Sequence, residues 1–209
     1  MQVWNKLFGH SREEKNSINW TFGVVLIAAL AGLIAALTLS IEKYHLLQNP
    51  HAILSCSFNL VLNCSVVMQT WQASVFGFPN SLIGVVLYPA AIILAVFALA
   101  KIELPRWIMI TAEIIAILGA LFAYWLFFQS VYVIQVLCPW CLVVTFVTTL
   151  IVSSITHYNL QQNTFRISKS VNKKIQDFIN KDYDKLITAC WVVLLVALVI
   201  LKFGDSLFA

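Results

Sequence analysis

The chain has 209 residues, is 61% hydrophobic and 11% charged, and carries a formal charge of +4. Soluble domains run at about 25% charged residues, so a chain this poor in charge cannot clothe itself in polar surface. A water-soluble domain is excluded, an all-α polytopic membrane protein is what remains, and no nucleic-acid partner is expected. Five cysteines without a free-standing polar domain also argue against a small secreted scaffold stapled by disulfides.

Residues 1–17 form a polar lead with Lys6, Arg12 and Lys15. Asn19 to Leu39 is an apolar run long enough to cross about 30 Å of hydrocarbon at 1.5 Å per residue. It exceeds the roughly 7–15 residues of a signal-peptide core and reads as an anchor. Residues 41–78 form a loop holding Cys56 and Cys64, with Glu42 and Lys43 as its charges. Its apolar stretch from Ala52 to Met68 predicts a short helix on the membrane surface. Phe76-Gly77-Phe78-Pro79-Asn80-Ser81 reads as a turn feeding a helix, with Pro79 and Asn80 near its start.

Asn80 to Ala100 is the second span, and residues 101–106 are a polar hairpin. Trp107 to Phe128 is the third span, with Glu113 inside it. Gln129 to Gln135 is an uncharged turn. The fourth span runs from about Val136 to Tyr158 and carries Cys138-Pro139-Trp140-Cys141 in its first turns. In the basic loop 159–185, Val171, Ile175, Phe178 and Ile179 recur at helical spacing opposite Lys173 and Lys174. This predicts an interfacial helix attracted to anionic lipid. Leu186 to Leu201 is the fifth span, followed by a tail to Ala209.

Lys and Arg concentrate on the cytoplasmic side of membrane proteins. The lead holds three, the hairpin two and the loop 159–185 six, against only Lys43 and Lys202 on the other side. The N-terminus is therefore expected in the cytoplasm of a multi-pass cell-membrane protein, with the C-terminus outside. Cys56, Cys64, Cys138 and Cys141 then share the outer, oxidising face, and Cys190 falls near the inner end of the fifth span.

Two thiols at Cys-x-x-Cys spacing can close a disulfide across one helical turn, and the same spacing also occurs in half a zinc site. A thiol relay needs one pair mobile enough to meet a soluble partner and one fixed beside an electron acceptor. The loop pair suits the first role and the helix pair the second. A helix N-terminus lowers the pKa of a nearby thiol. An acceptor inside a membrane must be apolar and diffuse in lipid, which points to a quinone.

Cys56-x7-Cys64, the run from Phe76 to Gly84, and Cys138-Pro139-Trp140-Cys141 together resemble the vitamin K epoxide reductase family over roughly residues 20–160. The run Cys64-Ser65-Val66-Val67-Met68-Gln69-Thr70-Trp71 is similar to one common in bacterial members. The resemblance implies a four-helix membrane bundle over residues 18–158 around a quinone pocket, with residues 186–209 as an added fifth helix and tail. It implies that Cys141 is the thiol beside the quinone and Cys138 its disulfide partner. It also implies that Cys64 exchanges with Cys138, that Cys56 meets an external redox protein, and that Asn80 hydrogen-bonds a quinone carbonyl. Thr70 stands where members often carry a hydroxyl. Thr145 stands where the animal enzymes carry tyrosine, which fits reduction of a plain quinone rather than an epoxide. Some bacterial members carry a thioredoxin-like domain after the fifth span. Here the sequence stops at Ala209, so a separate extracytoplasmic thioredoxin-fold protein is the expected partner. The activity so implied passes electrons from that partner through Cys56/Cys64 and Cys138/Cys141 to menaquinone or ubiquinone, supporting disulfide formation.

Plainer readings stand beside these. The loop pair could be a structural disulfide, and the whole chain a transporter subunit or scaffold with incidental cysteines. A zinc site is disfavoured because the pairs together lack the spacing of a ribbon. Glu113 reads as a satisfied carboxyl near the interface, although intramembrane carboxylates often serve function. His45 and His51 read as solvated surface, and His157 more firmly so. Trp71, Trp125 and Trp140 read as interfacial anchors before they read as pocket walls. Cys190 reads as a plain membrane residue. The sequon Asn63-Cys64-Ser65 is discounted, since a sugar there would cover a shuttle cysteine.

Overall fold

The structure, a computed structural model, describes residues 12–50, 54–57, 61–179 and 181–208. Expectations for the start of the polar lead, for His51 and for part of the cysteine loop lie outside the described residues. The described chain is helical, without a strand and with only two isolated backbone bridges. Five of its helices are long and apolar enough to cross a membrane.

Helix α1 covers Arg12–Gln48 and runs nine residues past Leu39, where the apolar stretch ends. Nothing between Leu39 and Gln48 breaks a helix. It stops just before Asn49-Pro50, because a residue preceding proline is pushed out of the helical region. The added turns are tethered to the cysteine loop. Lys43 Nζ donates to the Met68 carbonyl at 2.6 Å, and Ser55 bonds the Glu42 carboxylate. The expected surface helix in that loop shrinks to α2, Cys64–Gln69, followed by a 3-10 turn at Trp71–Ser74.

Helix α3, Ser81–Leu99, begins after Pro79-Asn80 as read from the sequence. It ends with Lys101 in the left-handed region (φ 60°) and Ile102 N–H donating to Phe97 O at 3.0 Å, a Schellman closure. Helix α4, Arg106–Phe128, starts behind Pro105. The turn expected after it is instead a π-helical continuation, Gln129–Ile134. That run contains no glycine or proline to stop a helix, and the chain reverses only at Gln135 (φ 58°). Helices α5 (Pro139–Gln161), α6 (Lys169–Ile179) and α7 (Tyr183–Phe208) complete the chain. The basic helix α6 matches the spacing of Val171, Ile175 and Ile179. Its Gln176 caps α5 by donating to the Leu160 and Gln161 carbonyls.

Helix α1 packs against α3 and α5, and α4 leans on α5. Small residues set how close α1 and α3 come. A Cβ at Gly32 would sit 2.5 Å from the Tyr88 ring, and one at Gly84 would sit 2.9 Å from Ala36 Cβ. Phe22, Val25, Ala29, Ala95, Met109 and Ile151 fill the shared core. Because α3 leans on α1 and α4 on α5, a gap is left between α3 and α4. Helix α7 lies beside this bundle and is mostly uncovered. Contacts that tie it down include His157 Nδ1 with Asp184 Oδ2 at 2.5 Å, Ser153 with Thr188 at 2.6 Å, Tyr124 with Trp191 at a ring spacing of 5.8 Å, and Phe203 against Phe127 and Leu137. His157 is therefore buried under α7, not solvated as expected, because Asp184 supplies the partner that burial demands. His45 is exposed as expected.

Candidate active site

Cys138 is the N-cap of α5, and Pro139 follows at the first helical position, where its missing N–H costs nothing. The Cys138 sulfur accepts the Cys141 N–H at 3.4 Å, the hydrogen bond a serine or aspartate makes at other helix starts. The α5 start is bound to the cysteine loop by backbone pairing. Leu137 N–H donates to Val61 O at 2.7 Å, and Asn63 N–H donates to Leu137 O at 3.0 Å. Residues 61–63 thus run beside residues 136–138, so that Cys64 and Cys138 emerge side by side.

The result is a contact of 3.4 Å between Cys64 Sγ and Cys138 Sγ. Cys64 is bonded to Cys56, with 5.7 Å between their Cα atoms, while Cys138 and Cys141 are thiols. Cys56, Cys64 and Cys138 are all buried, among Leu39, Leu46, Leu54 and Met68, with Trp140 and Cys141 at the margin. A nucleophilic sulfur about 3–3.5 Å from a disulfide sulfur is within near-attack range. Asn63 organises the loop, its side-chain oxygen accepting from Val66 N–H and from the Ser57 hydroxyl. Thr70 donates to Val67 O at 2.7 Å and ends α2.

Cys141 opens onto a cavity of about 550 Å³ in the gap between α3 and α4, with α1 and α5 behind it. Its walls are mostly apolar, from Leu39, Leu87, Leu94, Ile115, Ala116 and Leu126. Polar groups gather near the cysteines: Lys43, Gln72, Asn80, Gln129 and Ser130. Pockets for organic ligands span roughly 300–1,000 Å³ and pair apolar walls with a few convergent polar groups. Asn80 is on this wall. Its Nδ2 donates to Gln72 O at 2.7 Å, and its Oδ1 accepts from Val75 N–H at 3.2 Å. The amide therefore fixes the turn at Trp71–Ser74 and keeps a second N–H. Thr145 also lines the cavity, donating to Cys141 O at 3.0 Å.

Other singled-out residues lie apart. Trp71, Trp125 and Trp140 are not among the lining residues, whereas Trp107 and Phe122 are. Trp71 packs on Trp125 at 6.1 Å instead. Glu113 is buried and accepts from Thr156 Oγ1 at 2.6 Å and Asn159 Nδ2 at 3.0 Å, which clamps α4 to α5. Cys190 faces outward from α7. Among the described residues no cluster of His, Cys, Asp and Glu could hold a metal ion. Lys43, Gln72 and Gln129 were missed from the sequence. The signal for Lys43 was available, since Ala36, Leu39 and Lys43 recur on one helical face.

A bundle of membrane-spanning helices with four cysteines gathered beside an apolar cavity defines a membrane oxidoreductase of the thiol–disulfide class. The comparison with curated proteins gave no match. The sequence profile of the vitamin K epoxide reductase family matches residues 23–156, and the chain belongs to that family. This is an oxidoreductase family that generally uses quinones and thioredoxin-like redox partners. The reading as a non-enzymatic scaffold is thereby set aside.

Proposed function

We propose that the protein is a thiol:quinone oxidoreductase that reoxidises a separate extracytoplasmic thioredoxin-fold protein. One observation carries the reading: the 3.4 Å contact between Cys64 and Cys138 links a loop disulfide to Cys141 on the wall of an apolar cavity.

The partner's dithiol reduces the Cys56–Cys64 disulfide through Cys56, and the partner leaves oxidised. Cys64 then attacks Cys138 in a Cys138–Cys141 disulfide, and Cys141 departs as a thiolate. Cys56 resolves the mixed disulfide, so the loop pair closes and the helix pair holds two electrons. A loop disulfide with two helix thiols is the arrangement that precedes quinone reduction. The helix pair gives both electrons to menaquinone or ubiquinone and recloses, and its two protons end on the ring oxygens. The remaining Asn80 N–H donates to an oxygen as it gains charge, a contact worth more in a dry site than in water. The apolar gap between α3 and α4 would take the polyprenyl tail of the quinone.

The charge count supports a cytoplasmic N-terminus with the cysteines on the oxidising side. Cys141→Ala is expected to abolish quinone loss, followed by absorbance, with a reduced thioredoxin-fold donor. Full activity in that variant ends the assignment.

A further inference from the structure

Among the described residues that line the cavity, Lys43 is the one that carries a charge. It extends the face of α1 that presents Ala36 and Leu39 to the same space. Its ammonium donates to Met68 O at 2.6 Å, and no carboxylate is paired with it among the described residues. The neighbouring Glu42 is engaged with Ser55. An ammonium has three N–H groups, so two remain without a partner among the described residues. A cation with no carboxylate partner among the described residues, lining the same apolar cavity as Cys141, is placed for negative charge that appears during reaction. Charges interact strongly where water is scarce.

We propose that Lys43 is a further catalytic residue, whose ammonium stabilises the ring oxygen of the acceptor as two electrons arrive from Cys138 and Cys141. The inference rests on the thiol:quinone reading above. The balance is unchanged: one sulfur–sulfur bond forms, the quinone gains two electrons, and the two thiol protons complete the hydroquinone. Lys43 lowers the barrier by holding the charge before those protons settle, and none of its own protons is transferred.

The test uses the full-length protein in detergent, with dithiothreitol as donor and ubiquinone-1 as acceptor. Donors aimed at a developing oxyanion are worth about 10²–10³ in kcat. Lys43→Met is therefore expected to lower kcat about a hundredfold with KM for ubiquinone-1 nearly unchanged. Lys43→Arg should recover most of the rate. Lys43→Gln keeps a donor for Met68 O but loses the charge, and should resemble Lys43→Met. A fully active Lys43→Gln beside a weak Lys43→Met would assign Lys43 to anchoring α2 and overturn the proposal. A fully active Lys43→Met would overturn it as well. A wild-type protein no faster than Cys141→Ala would instead bring down the thiol:quinone reading, and this inference with it.

Discussion

Cys64 and Cys138 are 74 positions apart in the chain and 3.4 Å apart at their sulfurs. What closes that distance is neither cysteine but the backbone of their neighbours, Val61, Asn63 and Leu137. Removing the outer member of each pair leaves two thiols already in contact. The double variant Cys56→Ala/Cys141→Ala should therefore trap a Cys64–Cys138 disulfide on mild oxidation. Mass spectrometry of non-reduced peptides would detect it, and free thiols at both positions would contradict the relay path. The cysteine spacings and Asn80 could be read directly from the sequence. The pairing of 61–63 with 136–138 could not, because a two-bond ladder between distant segments leaves no periodic trace. Asn80 also does more than sequence suggests: two of its hydrogen bonds go to the loop backbone.

At the scale of elements, helix positions were legible and helix ends were less so. The apolar run of α1 marks what lipid covers, not where the helix stops, and the helix continues to Gln48 because only Pro50 opposes it. The same logic turned an expected loop at Gln129–Gln135 into a π-helical extension. Packing between elements depends on small residues whose partners a sequence does not reveal. A Cβ at Gly32 meets the Tyr88 ring at 2.5 Å, and that ring is held by a hydrogen bond from its hydroxyl to Thr148 at 3.0 Å. Gly23, on the same helix, has nothing within 4 Å of a new Cβ. Gly32→Ala is expected to destabilise by about 1–3 kcal/mol, as overpacked cores do. Gly23→Ala should be neutral or slightly stabilising, since alanine is the better helix former. Thermal unfolding in detergent compares the two. Equal midpoints would contradict a tight α1–α3 contact at Gly32. Tyr88 also lines the cavity, so Gly32→Ala should weaken quinone reduction as well.

For the whole molecule, the distribution of charge makes the strongest claim. Three basic residues precede the first span, two sit between the second and third, and six lie between the fourth and fifth, against Lys43 and Lys202 opposite. Moving a short basic loop across a membrane is disfavoured, so eleven against two supports the proposed cytoplasmic N-terminus. In that proposed orientation the cysteine loop, the α5 start and Lys43 would lie on the extracytoplasmic side, where disulfides persist. Lys43 departs from the charge rule by standing on the sparse side, and its place in the cavity gives it a reason to be there. An alkaline phosphatase fusion after Ala209, active only where disulfides form, should be active. The same fusion in the loop near Arg166 should be inactive. The reverse pattern would leave all four cysteines facing a reducing cytosol, and a disulfide-forming role would not survive it.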